Sequence, residues 1–141
     1  TKNILELAKE ELAFLTDIND ITAGVKKLYN SFERLQLVCV TDGKNGSSAI
    51  HRKWSVFKPA HQMENTVDTT GAGDTFFALC LHYLLDNPLA SLDEEQAHAM
   101  LHQANAAAAL ITTKRGALLS MPTKVELEDF LSTHPDIHIK D

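Results

Sequence analysis

The sequence predicts an α/β fold, with helices layered against a largely parallel sheet. Short apolar segments rich in β-branched residues alternate with longer segments of helical spacing, which is typical of such folds. The chain has 141 residues, of which 44% are hydrophobic and 23% are charged. That length and composition allow one domain with a buried core. We therefore expect a single domain over residues 1–141.

The first half of the chain predicts two strands, two helices and a hairpin. "NILEL" has the character of a strand, and "KEELAFL" after it has helical spacing. Asp20 can cap a helix that runs to about Glu33, with one apolar face made of Ile21, Val25, Leu28, Tyr29 and Phe32. The segment Leu35–Thr41 predicts a strand buried on both faces, which ends in the polar turn "DGKNGS". "SAIHRKWSVFKP" predicts a hairpin that turns near Arg52 and Lys53.

The second half of the chain predicts three helices. Gly73–Asp86 is apolar nearly all round, which indicates a buried helix. Ser91 and Glu94 form a capping-box pattern before an alanine-rich helix that runs to about residue 112. A second pattern of this kind, at Thr123 and Glu126, predicts a last helix to about residue 131.

Charge and apolar patterning exclude several classes of partner. The net charge is −6 and no basic stripe is present, so neither nucleic acid nor a membrane surface is expected as a partner. The longest apolar stretch, Phe76–Leu85, has half the length that spans a bilayer. Cys39 and Cys80 lie inside apolar segments, which favours buried, reduced thiols in a cytoplasmic protein.

The segment "VDTTGAGDTFF" places a glycine-rich turn at the start of a helix. Such a turn leaves the amides of Ala72, Gly73 and Asp74 without helical partners at the positive end of the helix dipole, where a phosphate can bind. The Asp74 carboxylate would lie beside that phosphate and could accept a proton from an attacking hydroxyl. The alternative is an ordinary acid that only complements the helix dipole.

"VDTTGAGDTF" also resembles the second signature of the ribokinase-like carbohydrate kinases, the phosphofructokinase-B family. "ILELAKEELAFLT" resembles the strand and acidic helix before the nucleotide site of that family. "VTDGKNGS" resembles its phosphate turn, and "ANAAAALITTKRGALLSMP" resembles its helix and loop near the adenine. The resemblance covers essentially the whole chain. It implies a ribokinase-like three-layer α/β/α fold and a kinase that uses ATP and Mg²⁺.

The resemblance assigns roles to individual residues. Asp74 would be the general base, and the amides that stabilise the transferring phosphoryl group would be those of Gly71, Ala72 and Gly73. Residues that would line the triphosphate are Thr41, Gly43 and Gly46. Asn105 would face the base or ribose, while His102, one turn earlier, would border the nucleotide or lie on a solvated helix face. Glu11 would act on magnesium and phosphate.

The resemblance also implies a site for K⁺, which many members of the family hold. Its residues would be Asp68 and Thr70, the Ser120 hydroxyl, and backbone carbonyls around Ile111, Lys114 and Gly116. Carboxylate and carbonyl oxygens are suitable ligands for a hard cation. Asp68 could equally brace its own loop.

Three positions depart from the family pattern, and they keep other functions open. Leu79 replaces a usual glycine, Asp42 replaces a usual leucine beside the phosphates, and Ala8 replaces an Asn or Ser. The N-terminal half of the family, which supplies most sugar contacts and the lid, is missing from this chain, which begins at Thr1.

The leading interpretation is therefore one part of a sugar kinase, of fructokinase-like type, that is inactive by itself. A non-catalytic nucleotide-binding or interaction module is the main alternative, and a nucleoside is the alternative acceptor. Because half of a sheet exposes an edge, we also expect self-association.

Overall fold

The computed structural model describes residues 4–60 and 71–112, together with Val125, Glu128 and Asp129. In chain order the elements are β1 (Ile4–Ala8), α1 (Lys9–Thr16), α2 (Ile21–Ser31), β2 (Leu37–Thr41), β3 (Ser47–Ile50), β4 (Ser55–Lys58), α3 (Ala72–Asp86) and α4 (Glu94–Ile111). The three isolated residues are helical, but the rest of the predicted last helix lies outside the described residues.

The described strands form one mixed sheet in the order β1-β2-β3-β4. Strands β1 and β2 are parallel, whereas β2–β3 and β3–β4 are antiparallel. The expectation of a mostly parallel sheet is therefore wrong for this part of the chain. Only five residues, 42–46, join β2 to β3, and a parallel crossover needs a dozen or more. The predicted hairpin between β3 and β4 is confirmed.

Helices cover both faces of the sheet, so the described elements form the three expected layers. On one face the core contains Leu37, Cys39, Ala49 and Val56 from the strands, packed on Phe76, Leu79, Cys80, Ala97, Met100, Leu101, Ala104 and Ala107 from α3 and α4. On the other face Leu7, Val38 and Val40 pack on Leu12, Val25, Leu28 and Tyr29 from α1 and α2. Strand β2 is buried between the two layers, as predicted.

The N-cap of helix α4 lies two residues after Ser91, the predicted one. The N-cap is Asp93, whose side chain accepts from the Gln96 amide at 2.8 Å, while the Gln96 side chain accepts from the Asp93 amide at 3.2 Å. The expected box of Ser91 and Glu94 is wrong. The Ser91 hydroxyl instead donates to the Pro88 carbonyl in a short 3₁₀ turn.

The other helix predictions differ in outcome. Asp20 caps α2 as expected, and its carboxylate accepts from the Ala23 amide at 2.9 Å. Phe32 is 57% exposed and lies after α2, so its assignment to the buried face is wrong. Helix α3 is not buried all round, since Leu81 and Leu85 are exposed.

Two further expectations concern the cysteines and the membrane. Cys39 and Cys80 are both free and buried, as predicted. Within the described ranges, no helix has the length and apolar character needed to cross a bilayer.

Strand β1 lies at the edge of the described sheet, beside a helix on which Phe14 and Leu15 are exposed. The expected self-association depends on that edge.

The Arg52 side chain ties the β3–β4 hairpin to the end of α2. Its guanidinium lies 4.6 Å from the centre of the Tyr29 ring, and it donates at 2.8–3.2 Å to the backbone carbonyls of Tyr29, Phe32, Glu33 and Leu35. The Tyr29 carbonyl lies in the last turn of α2, where carbonyls have no partner within the helix, and the other three lie in the segment that follows the helix. Arg52 therefore satisfies several of them with one planar group.

We predict that Arg52→Lys destabilises the fold, because an ammonium group cannot reach four carbonyls in the geometry of the guanidinium. The expected loss is about 1–2 kcal/mol in the free energy of unfolding, measured by denaturant titration of the complete protein. Lys53→Ala, next to it on the exposed turn, is the control and should change little. An unchanged denaturation midpoint for Arg52→Lys would show that the hydrogen bonds of Arg52 do not contribute to stability.

Candidate active site

Helix α3 begins directly after Gly71, in the glycine-rich turn. Gly71 is the N-cap residue and has a φ of 84°, a conformation that favours glycine. The first hydrogen bond of the helix runs from the Thr75 amide to the Gly71 carbonyl at 2.9 Å. Within residues 4–60 and 71–112, no group accepts from the amides of Ala72, Gly73 or Asp74. An anion at this position would complement both the amides and the helix dipole.

Asp74 lies in the first turn of α3 with its side chain exposed to solvent. The space next to Gly73 is also open, since a Cβ atom built there meets nothing within 4 Å. The carboxylate is thus accessible to a small molecule that occupies the helix N-terminus.

The predicted phosphate turn connects β2 to β3. The Asp42 amide donates to the Gly46 carbonyl and the Asn45 amide donates to the Asp42 carbonyl, both at 2.9 Å. Gly43 and Gly46 have φ values of 52° and 130°. A Cβ atom at Gly46 would lie 2.2 Å from the Lys58 carbonyl oxygen, so only glycine fits. Thr41 ends β2 immediately before this turn.

The structure accommodates both departures from the family pattern that lie near the site. The Asp42 carboxylate lies 3.9 Å from the Lys9 ammonium, which offsets its charge. Leu79 is 9% exposed and belongs to the core between the sheet and α3 and α4. Neither residue therefore argues against a nucleotide site.

His102 and Asn105 are both buried on α4. The suggestion that His102 lies on a solvated helix face is therefore wrong. Asn105 accepts from the Ser47 hydroxyl at 2.7 Å and donates to the Lys58 and Pro59 carbonyls at 3.2 and 3.4 Å. Its side chain joins α4 to β3 and to the end of β4.

The residues assigned to cations are only partly described. The Glu11 carboxylate accepts from the Ala8 amide at 2.8 Å, so it caps α1. Ile111 is fully buried at the end of α4. The other residues expected to bind potassium lie outside the described residues: Asp68, Thr70, Lys114, Gly116 and Ser120.

Glu6 is a residue of this site that the sequence reasoning missed. It is half-buried on β1, paired in register with Cys39, and therefore lies on the sheet face that packs on α3 and α4. Its pKa is raised from 4.5 to about 7, mainly by burial and also by the nearby negative charges of Glu11 and Asp74. The signal in the sequence is a single acid inside the apolar strand "ILELA".

Glu11 and Asp74 thus both lie within electrostatic range of Glu6 on β1. Among the described residues, no group of three His, Cys, Asp or Glu side chains is placed to hold a metal ion. The amides at the start of α3 can bind an anion, and the exposed Asp74 carboxylate can accept a proton.

Comparisons with known proteins identify the family of the chain. The sequence model described as "pfkB family carbohydrate kinase" matches residues 3–124. Fructokinase-1 of Oryza sativa subsp. japonica is 33% identical over 126 residues, which cover 89% of this chain and 38% of that protein. The chain therefore spans well under half the length of this relative.

Solved structures show the same fold. The structure of a putative ribokinase II from E. coli in complex with ATP and Mg²⁺ is 25% identical, with a TM-score of 0.77 over 94% of this chain and 40% of that one. A double mutant of the fructokinase from Vibrio cholerae O395, solved with fructose, ADP and potassium ion, is 27% identical. Its TM-score is 0.75, over 92% of this chain and 40% of that one.

We predict that Glu6 makes folding stability depend on pH. The folded protein keeps the Glu6 proton up to about pH 7, whereas the unfolded carboxyl, with a pKa of 4.5, loses it earlier. The folded state therefore binds more protons in this window, and the free energy of unfolding falls as the pH rises through it. Glu6→Gln should raise the thermal midpoint at pH 8 by about 2–4 °C and have a smaller effect at pH 5.

The matched control is Glu10→Gln, which removes the same charge from the exposed face of α1. It should shift the midpoint equally little at both pH values. If Glu6→Gln behaves like this control, Glu6 is ionised in the folded protein at pH 5 as well as at pH 8.

Proposed function

Because the chain belongs to the pfkB family of carbohydrate kinases, we propose that it forms the nucleotide-binding and catalytic-base part of a sugar kinase. The reaction is transfer of the γ-phosphoryl group of ATP to a hydroxyl of a small sugar. The observation that supports this most directly is the exposed Asp74 carboxylate in the first turn of α3, next to the open amides of Ala72 and Gly73.

In this proposal Asp74 is the general base. The sugar hydroxyl oxygen forms a bond to the γ-phosphorus while the bond from that phosphorus to the β–γ bridging oxygen breaks, which releases ADP. The hydroxyl proton passes to the Asp74 carboxylate. The amides of Gly71, Ala72 and Gly73 donate to the oxygens of the transferring group, where charge is concentrated.

The turn at Asp42–Gly46 would bind the phosphates of the nucleotide. Gly43 is exposed with open space around it, so its backbone can approach a phosphate closely. Thr41 lies next to it at the end of β2 and would complete this side of the site. A magnesium ion bound with the nucleotide would neutralise phosphate charge near Glu11 and Glu6. Potassium would bind at Asp68, Thr70 and the carbonyls after α4.

A sugar is the preferred acceptor over a nucleoside. The relative with 33% identity is named a fructokinase, and the Vibrio cholerae fructokinase structure contains fructose. A furanose or open-chain sugar hydroxyl is a compact nucleophile that can reach a helix N-terminus. We therefore propose fructose or a related small sugar as the acceptor of the complete protein.

We predict that Asp74→Asn lowers kcat by about 10²- to 10⁴-fold in the complete protein, because an amide cannot accept the hydroxyl proton. Affinity for MgATP should stay within about twofold, since the amides and the phosphate turn are unchanged. Steady-state kinetics and calorimetric titration with MgATP measure the two effects separately.

Asp86→Asn is the matched control, because it makes the same change at the other, exposed end of α3. Its kcat should be close to that of the unaltered protein. Near-normal turnover in Asp74→Asn would reject the general-base role, and an absence of MgATP binding in the unaltered protein would reject the nucleotide site.

A further inference from the structure

The side-chain oxygen and nitrogen of Asn105 both have hydrogen-bond partners inside the protein. Its oxygen accepts from the Ser47 hydroxyl at 2.7 Å, and its amide nitrogen donates to the Lys58 carbonyl at 3.2 Å and the Pro59 carbonyl at 3.4 Å. A primary amide has two N–H donors, and both have a carbonyl acceptor here. Asn105 is also only 9% exposed.

The partners of Asn105 lie directly behind the turn that would bind phosphate. Ser47 is the first residue of β3, immediately after Gly46, and it pairs with Thr41 on one side and with Lys58 on the other. The Gly46 backbone packs on the Lys58 carbonyl so closely that a Cβ atom would come within 2.2 Å of it. The Lys58–Pro59 segment is therefore the surface against which the turn rests.

We propose that Asn105 is a positioning residue that fixes the Asp42–Gly46 turn for phosphate binding by holding Ser47 and the Lys58–Pro59 segment in place. It does so without contacting the base or ribose. This inference rests on the proposed function, because it assumes that the turn binds the phosphates of ATP. It replaces the expectation, from resemblance, that Asn105 faces the nucleoside.

The two roles predict different effects on binding. A residue that reads the base or ribose affects only ligands that contain a nucleoside. A residue that fixes the turn affects every ligand with the same phosphate chain. Removal of one member of the network leaves buried polar groups without partners, and the turn can then shift from the position that phosphate needs.

The experiment compares MgATP with magnesium tripolyphosphate, which has no nucleoside, by calorimetry on the complete protein at 25 °C. Ser47→Ala and Asn105→Ala should weaken the binding of both ligands by the same factor, about three- to tenfold. Ser47 is 2% exposed, so its hydroxyl can affect a ligand only through the residues that it holds in place, and tripolyphosphate reports on the turn alone. The double variant should lose less than the product of the two single factors.

Ser31→Ala is the matched control, because it removes a hydroxyl that donates to the Lys27 carbonyl on the exposed side of α2. It should leave both affinities unchanged. Far-ultraviolet circular dichroism at 25 °C establishes that each variant is folded. Ser47→Ala is the milder change and keeps the test available if Asn105→Ala does not fold.

Weaker MgATP binding with unchanged tripolyphosphate binding in Asn105→Ala would show that Asn105 reads the nucleoside, and it would overturn this inference alone. Unchanged binding of both ligands in Ser47→Ala would also overturn this inference, because the network would then have no effect on the turn. If the unaltered protein binds neither ligand, the proposed function fails and this inference fails with it.

Discussion

The close packing of α3 and α4 against one face of the sheet positions two parts of the candidate site. Helix α4 presents small residues to its neighbours, among them Ala97, Ala104 and Ala107, and all three are fully buried. Because alanine side chains occupy little volume, the helices and the sheet can approach closely without voids. This packing sets the position of the α3 N-terminus, and it brings Asn105 to the strands β3 and β4.

The charges near the C-terminal end of β1 would be unfavourable without a ligand to balance them. Burial imposes a desolvation cost on the charge of Glu6, and Glu11 and Asp74 both repel that charge. The open amides at the α3 N-terminus attract anions instead. A nucleotide with its magnesium ion brings both signs of charge. Such a ligand can satisfy the amides and the acids together, which neither a free anion nor a free cation can do.

Sequence patterns predicted the local elements well and the long-range pairings less well. The Asp20 cap and the hairpin follow from contacts between residues close in sequence, and the buried β2 follows from an apolar run within its own segment. The cap of α4 was ambiguous, because the pairs Ser91–Glu94 and Asp93–Gln96 both fit a capping box. The burial of Leu92, which tertiary packing decides, distinguishes them. The mixed sheet and the charge interactions of Glu6 likewise depend on residues distant in sequence.

The register of β1 and β2 explains why separate motifs come together. Ala8 pairs with Thr41 in the one parallel pair of strands of the described sheet. Helix α1 and the Asp42–Gly46 turn therefore both begin at the C-terminal ends of these two strands. Lys9 can therefore reach Asp42, and Glu11 lies near Glu6 and Asp74. A shift of one residue would turn Glu6 toward the opposite core, which is made mainly of apolar side chains. The cost of burying that carboxylate thus helps to fix the register on which the site depends.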